Sequence, residues 1–110
     1  MSEDQNDAQL EVCMGLIING GSAKSFAFEA IKAAKNNQFD TAIEKLKEAD
    51  KYLIEAHNVQ TQMLKNEADG KSADISLMMV HAQDHLMTAI TFRDLAGEIV
   101  DLYKKLDSKK

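Results

Sequence analysis

Four polar residues occupy one face of the helix that the segment Ile75 to Phe92 predicts. They are His81, Asp84, His85 and Thr88. At about 100° per residue they fall within about 100° of arc. Asp84 is the only formal charge of the segment, which otherwise holds Leu, Met, Ile and Ala in a dense run. Ionisable groups are costly in apolar surroundings unless they have a hydrogen-bonding, metal-binding or chemical role, so this face is a candidate functional site.

The simplest interpretation of these histidines is structural. A histidine on a mostly apolar helix is usually a hydrogen-bonded, partly buried side chain, and this applies to His81 and more strongly to His57. Other residues are expected to serve packing and not a cofactor site. They are Tyr52, Tyr103, Met78, Met79 and Met87.

A metalloenzyme is a second interpretation. His81 and His85 are one helical turn apart, a spacing that lets two imidazoles chelate one ion. A helical zinc protease needs Glu directly after the first histidine, and Ala82 stands there. No third ligand is obvious in the chain.

The third interpretation makes His81 an acceptor of a phosphoryl group. A neutral imidazole nitrogen is a good nucleophile near pH 7 and can pass the group onward. Gln83 and Thr88 could donate hydrogen bonds to the phosphate only if they point toward it. Asp84 would repel the phosphate unless it is turned away, neutralised or bound to a cation.

Three helical blocks must position these residues. The first runs from about Asp7 to Lys35. The small residues of Asn19 to Ser22 could bend it or let another helix approach closely, and we expect a bend and not a break. Asn37 to Asp40 offers a cap for the second block, and Gly70 is its expected stop.

The third block begins between Ser72 and Ser76 and reaches Leu106. Two short connections predict an all-α, up-down-up three-helix bundle. We expect residues 1–110 to form a single domain in which the tails, residues 1–6 and 107–110, are mobile.

The third helix also predicts self-association. The side that carries Leu95, Ile99 and Leu106 continues toward the helix start as the polar face of His81, Asp84 and Thr88. The opposite side of the N-terminal half is apolar as well. Three helices leave an open flank, so the surplus apolar surface predicts a subunit interface.

Composition excludes several classes of protein. A formal net charge of −5, without a Lys/Arg cluster, argues against nucleic-acid binding. Cys13 is the only cysteine, which excludes an intrachain disulfide and fits a reducing cytosol. The acidic start lacks the features of a signal peptide, and no apolar run is long enough to cross a bilayer. We expect a soluble, cytoplasmic protein.

The string Val80-His81-Ala82-Gln83-Asp84-His85-Leu86-Met87-Thr88 resembles the active-site helix of a known family. The family is the enzyme IIA proteins of the lactose/cellobiose/diacetylchitobiose branch of the bacterial sugar phosphotransferase system. Residues 14–21, MGLIINGG, resemble the first helix of the family, and residues 55–61, EAHNVQT, resemble its second. The resemblance covers nearly the whole chain.

This resemblance implies a phosphotransferase component that works through a phosphohistidine. His81 would receive phosphate from the histidine phosphocarrier protein HPr and pass it to a cysteine of enzyme IIB, and a membrane enzyme IIC would take up a β-linked disaccharide. The resemblance also implies a homotrimer in which three copies of Asp84 bind a divalent cation, usually magnesium. His85 would be a supporting residue. The sequence does not distinguish cellobiose, diacetylchitobiose and lactose as the sugar.

Two other classes compete with this assignment. Histidine phosphotransfer domains of two-component signalling are also helical bundles, but they commonly carry Lys or Arg shortly after the acceptor, and Ala82, Gln83 and Asp84 stand there. A non-catalytic helical oligomer or adaptor would use the polar face only to set the register of its helices.

Overall fold

The computed structural model contains three α-helices and describes residues 3–71 and 75–109, with side chains from residue 7 onward. The helices are α1 (Glu3–Lys35), α2 (Phe39–Ala68) and α3 (Leu77–Ser108). The part of the chain that is described contains no strand, and the all-α three-helix prediction is confirmed. Across these residues, no helix combines the length and the apolar character that a membrane span requires.

The helices form an elongated up-down-up bundle of 62 × 23 × 19 Å. Cys13 of α1 lies beside Met79 of α3, and Ala30 packs in one cluster with Ala96, so α1 and α3 run parallel. Ala42, at the start of α2, packs in that second cluster, and Ala56 packs in the first. α2 therefore runs in the opposite direction to the other two helices.

Helix α1 passes through Asn19 to Ser22 without a break, as predicted. Helix α2 starts after Gln38, whose side chain makes no capping hydrogen bond, so the expected side-chain cap is wrong. Gly70 adopts a φ of 82°, and the N–H of Lys71 donates to the carbonyl of Asn66 at 2.8 Å. That left-handed turn closes the end of α2 and confirms Gly70 as its stop.

Ser76 fixes the start of α3. Its Oγ accepts a hydrogen bond from the backbone N–H of Met79 at 3.1 Å, and its carbonyl accepts from Val80. Helix α3 therefore begins directly after Ser76, the last residue of the predicted range Ser72 to Ser76. Residues 72–74 lie outside the described part. The helix ends two residues beyond the predicted Leu106. The single domain and the mobile tails stay predictions, and residues 1, 2 and 110 are also outside the described part.

The core is built mainly from alanine. Two clusters run along the bundle, and their fully buried large side chains are Leu16, Leu86 and Cys13. The remaining buried hydrophobic residues include many alanines. They are Ala23, Ala27, Ala30, Ala33, Ala34, Ala42, Ala49, Ala56, Ala82, Ala89 and Ala96. Small side chains let the helix axes approach closely, and they leave many larger apolar residues on the outside of the bundle.

Candidate functional site

His81 lies in the second turn of α3, with an exposed side chain. Its ring centroid is 6.0 Å from that of His85, and the two rings are tilted by 34°. The expectation of a partly buried structural histidine is wrong for His81, because a partner protein can reach its ring.

His85 is seated against α1. A Cβ atom at Gly20 would lie 3.0 Å from Cδ2 of the His85 ring, and one at Gly21 would lie 3.5 Å from Nε2. The ring also hydrogen-bonds the backbone of Ile17. Burial against α1 lowers the pKa of His85, and the nearby Lys24 lowers it further. Both effects favour the neutral form of the His85 ring, which lies between the two helices.

The two glycines explain a feature that the sequence left open. Asn19 to Ser22 could have served a bend or a close approach of another helix, and the contact with His85 shows that close approach is their use. Lys24, one turn further along α1, was missed as a neighbour of the histidines. Two glycines within a helical pattern, Gly20 and Gly21, indicate that another element packs closely there. They do not indicate which side chain makes the contact.

Asp84 and Thr88 lie on the exposed side of α3. Thr88 Oγ1 donates to the carbonyl of His85 at 3.1 Å, so its hydroxyl is used within the helix and is not directed at His81. Among the described residues, no group of three or more His, Cys, Asp or Glu side chains could hold a metal ion. A metal at Asp84 would therefore require carboxylates from several copies of the chain.

Gln83 points away from His81. Its Oε1 accepts a hydrogen bond from Gln60 of α2 at 2.7 Å, and its Nε2 lies 3.6 Å from the sulfur atoms of Met63 and Met79. Residues two apart on a helix project about 200° apart around its axis. The hypothesis that Gln83 donates to a phosphate on His81 of the same chain is therefore wrong. Gln60 was not recognised from the sequence as its partner.

The other predicted packing residues divide into buried and exposed ones. Met79 is buried, but Met78 and Met87 are 42% and 50% exposed and do not serve the core. A protein that docks beside His81 could therefore contact Met78 but not Met79. His57 is exposed on α2, so it is not the partly buried residue that was expected.

An exposed stripe runs the length of α3, and we call it the outer stripe. It consists of Leu77, Val80, Asp84, Met87, Thr91, Leu95, Glu98, Leu102 and Leu106. These residues recur every three or four positions, which is the spacing of a seam that packs against other helices. His81 borders the stripe on the α1 side, and Gln83 borders it on the α2 side.

The chemistry available to this arrangement is nucleophilic. Two histidines with no third ligand nearby among the described residues do not make a zinc site. An exposed imidazole beside a fixed neighbouring side chain can accept and release a group brought by another protein.

Comparison with known proteins identifies a family with this arrangement. The family described as "PTS system, Lactose/Cellobiose specific IIA subunit" matches residues 11–104. A relative in Bacillus subtilis (strain 168), the lichenan-specific phosphotransferase enzyme IIA component, is 42% identical over 105 residues, which are 96% of each chain.

Two solved structures are also similar. The cellobiose-specific enzyme IIA from Bacillus anthracis aligns with a TM-score of 0.90 and 42% identity, over 100% of this chain and 96% of the other. The chitobiose IIA of Escherichia coli, solved in complex with HPr, aligns with a TM-score of 0.78 and 42% identity, over 90% of this chain and 96% of the other.

Proposed function

Because the chain belongs to the lactose/cellobiose-specific IIA family of the sugar phosphotransferase system, we propose that His81 is its phosphoryl-carrying residue. The chain is a phosphotransferase component of the cellobiose/chitobiose type. The observation that supports His81 is its exposure on α3, beside a second histidine that is fixed against α1. His57 lies on another helix, and His85 is partly buried.

The donor in this proposal is the phosphohistidine of HPr. An imidazole nitrogen of His81 forms a bond to phosphorus while the bond between phosphorus and the donor nitrogen breaks, so the donor imidazole leaves with that electron pair. A cysteine thiolate of enzyme IIB then attacks phosphorus, and the His81 imidazole is the leaving group. The E. coli relative solved with HPr supports the first step, and the family supports the second.

Positioning accounts for most of the catalysis in both steps. Phosphoryl transfer passes through a loose, in-line transition state, so two aligned imidazoles need little covalent assistance. The exposed side chains Met78 and Ile18 lie on the helices that carry and flank His81, and they could exclude water from the labile bond. The docking contact is expected to be small, since each partner must leave in every cycle.

A homotrimer is the second part of the proposal. Three leucines of the outer stripe, Leu77, Leu95 and Leu102, are 87%, 54% and 57% exposed. Contact of so much apolar surface with water is unfavourable in a monomer. A cyclic assembly of three parallel α3 helices would bury this stripe around the axis. The stripe includes Asp84, so three like charges would meet there.

A divalent cation such as magnesium would resolve that repulsion. Asp84 fits this role because its carboxylate is exposed on the outer stripe, and oxygen ligands suit hard cations. The cation would neutralise three carboxylates and hold the subunits together. Transfer of the phosphoryl group to and from His81 would not pass through it.

We further propose that the transported sugar is a β-linked disaccharide. The support is that relatives named for cellobiose and N,N'-diacetylchitobiose are 48% and 45% identical to the chain. Selection among such sugars would reside in the membrane component, because the phosphoryl group, and not the sugar, is the ligand of His81.

Reconstitution of the relay tests the proposal. Phosphoenolpyruvate, enzyme I and HPr should load wild-type chain with phosphate, and added enzyme IIB of a cellobiose system should then remove it. His81→Ala should block both steps, whereas His57→Ala, a change of the exposed histidine on α2, should block neither. Phosphate that reaches enzyme IIB through the His81→Ala chain would refute the assignment.

A further inference from the structure

A phosphoryl group on His81 finds little stabilisation on its own helix. The hydroxyl of Thr88 donates to the carbonyl of His85, and the amide of Gln83 is bonded to α2. The three residues that follow His81 in the sequence include no lysine or arginine, and one of them, Asp84, is negatively charged. Because cations and hydrogen-bond donors stabilise a phosphoryl dianion, the stabilising charge has to come from another element.

Lys24 lies on the face of α1 that meets the histidines. It follows Gly20 and Gly21 by one helical turn, and both glycines lie against the His85 ring. Lys24 and Thr88 line the same groove between α1 and α3. The charge of Lys24 also lowers the pKa of His85, so the ammonium is close enough to act on that ring electrostatically.

The side chain of Lys24 extends in the direction of His81. Side chains on an α-helix lean toward its N-terminus, and α1 and α3 run parallel, so Lys24 reaches back along the groove toward both histidines. The ring centroids of His81 and His85 are 6.0 Å apart, which is close to one helical turn of about 5.4 Å. A charge on His81 would thus lie about one turn beyond the ring that the ammonium already affects, and the flexible lysine stem can follow it.

The ammonium of Lys24 has no carboxylate partner among the described residues. Glu29 and Lys45, which border the surface depression beside His85, instead pair with each other at 3.5 Å. The chain carries 18 acidic and 13 basic residues, so carboxylates are plentiful. Lys24 is partly buried, and partial burial costs an ammonium some solvation that a carboxylate would normally offset. Its charge is therefore available to an anion that arrives from outside.

We infer that Lys24 neutralises part of the charge of the phosphoryl group on His81 of the same chain. This role presupposes the proposed function and needs no residue from a second subunit. An ammonium acts as a compact point charge and requires no fixed hydrogen-bond geometry. It can stabilise the phosphoryl group on His81 without holding it against transfer to enzyme IIB.

The equilibrium between HPr and the chain measures this stabilisation. Phosphorylated HPr is mixed with each variant, and the distribution of phosphate between the two proteins is determined once it is constant. Lys24→Met removes the charge and keeps an unbranched side chain in the groove. We expect it to shift the equilibrium toward phosphorylated HPr by roughly fivefold, and Lys24→Arg to restore the wild-type distribution.

Lys35→Met is the matched control. It removes the same charge from the last turn of the same helix, about 16 Å further from the site than Lys24. That separation exceeds the Debye length of about 8 Å at physiological ionic strength, so the equilibrium should stay at its wild-type value. An equal shift in Lys24→Met and Lys35→Met would be an effect of net charge and would overturn the role of Lys24.

The pKa of the phosphoryl group provides a readout that a packing defect would not move. A nearby cation favours the doubly charged form and lowers the phosphoryl pKa, whereas Asp84 and His85 are unchanged in these variants. The pKa, followed by ³¹P NMR during a pH titration, should be higher in Lys24→Met than in the wild type and in Lys35→Met. If His85 gained a proton on loading and supplied the positive charge itself, Lys24→Met would change neither quantity.

Unchanged equilibrium and unchanged phosphoryl pKa in Lys24→Met would overturn the role of Lys24. A slower transfer from HPr, with both quantities at their wild-type values, would also overturn it, because Lys24 would then serve the docking of HPr. If Lys24→Met does not fold, Lys24→Gln removes the same charge with a polar side chain and takes its place.

The same measurements separate this role from the proposed function. A wild-type chain that takes no phosphate on His81 refutes the proposed function. A wild-type chain that is phosphorylated on His81, but whose Lys24→Met and Lys35→Met variants are indistinguishable, refutes only the contribution of Lys24.

Discussion

At the scale of residues, environment separates chemically similar side chains into different roles. His81 is exposed, whereas His85 is held against Gly20 and loses proton affinity through burial. Gln83 is two positions from His81, yet its amide is bonded to α2. Function at this site therefore depends on which border of α3 a residue occupies, and less on its distance along the chain.

Cys13 should be an unreactive thiol. It is 1% exposed, and burial raises its pKa, so at pH 8 less of it is thiolate than in an unfolded chain. We expect iodoacetamide to modify Cys13 slowly in the folded protein and rapidly in urea, as followed by intact mass. Equal rates in the two conditions would show that α1 does not shield the thiol.

Arg93 and Asp50 should contribute to the contact between α2 and α3. The guanidinium donates to both carboxylate oxygens, at 2.5 and 2.9 Å, and the side chains are 23% and 41% exposed. Because solvent screens this pair, we expect Asp50→Ala to lower the free energy of unfolding by about 1 kcal/mol in urea titrations.

The surface pair of Glu48 and Lys51 provides the control for that change. Its residues lie three apart on α2, and the Lys51 side chain is 71% exposed, so Glu48→Ala should leave the unfolding midpoint unchanged. An equal loss of stability in both variants would mean that the α2–α3 ion pair is no stronger than a surface one.

Residue type and spacing were enough to propose His81 as the acceptor, but they were not enough to predict its surroundings. His81 could be singled out because it stands in an apolar segment and in a string that resembles a family. The orientation of Gln83 and the proximity of Lys24 could not, since both depend on how α3 is rotated against α1 and α2. That rotation is set by packing of alanines, which carry little directional signal in the sequence.

At the scale of elements, the contact between α1 and α3 positions the site. α1 remains helical through Gly20 and Gly21, and Gly20 lacks the Cβ atom that would crowd the His85 ring. The capped start at Ser76, five residues before His81, then sets the register of α3. The site is thus built on two rigid helices and not on a loop.

Gly20→Ala and Gly15→Ala form a matched test of this contact. A Cβ at Gly20 would lie 3.0 Å from the His85 ring, whereas nothing lies within 4 Å of one at Gly15. We expect Gly15→Ala to raise the free energy of unfolding by roughly 0.5–1 kcal/mol through helix propensity. Gly20→Ala should be less stable than Gly15→Ala by about 1–2 kcal/mol because His85 must shift.

Thermal or urea unfolding of the two variants measures the difference, and phosphorylation by HPr provides a second readout. Gly20→Ala should also slow phosphorylation, as a displaced His85 no longer supports His81. Indistinguishable stability and rates for the two variants would show that the close approach to α1 is unimportant.

The helices themselves were largely predictable, whereas the placement of their large apolar residues was not. Gly70 and Ser76 carry local signals that mark helix ends, and both act as expected. Ile43 and Leu64 fit the apolar pattern of α2 but are 39% and 61% exposed. A pattern identifies a face, but the width of an alanine-lined core decides how much of that face is buried.

At the scale of the whole molecule, the exposed apolar surface indicates assembly. The outer stripe of α3 and the exposed Leu10, Met14 and Phe28 of α1 leave a single copy with more apolar surface than a monomer of this size usually carries. In the proposed trimer the stripe would be covered.

Asp84→Leu should separate metal binding from assembly. In the proposed trimer this change removes three like charges and adds apolar surface, so the metal should be lost while the trimer keeps or gains stability. Sedimentation and elemental analysis measure the two properties on one sample. A variant that still binds one divalent ion per trimer would refute the placement of the ion at Asp84.

In the proposed mechanism, one imidazole, that of His81, carries the phosphoryl group. Tandem mass spectrometry of the chain, loaded by phosphoenolpyruvate, enzyme I and HPr and kept at alkaline pH, locates the acid-labile phosphate most directly. We expect a single phosphate, on the peptide that contains His81 and on that residue. Phosphate on His57 or His85, with His81 unmodified, would contradict the account.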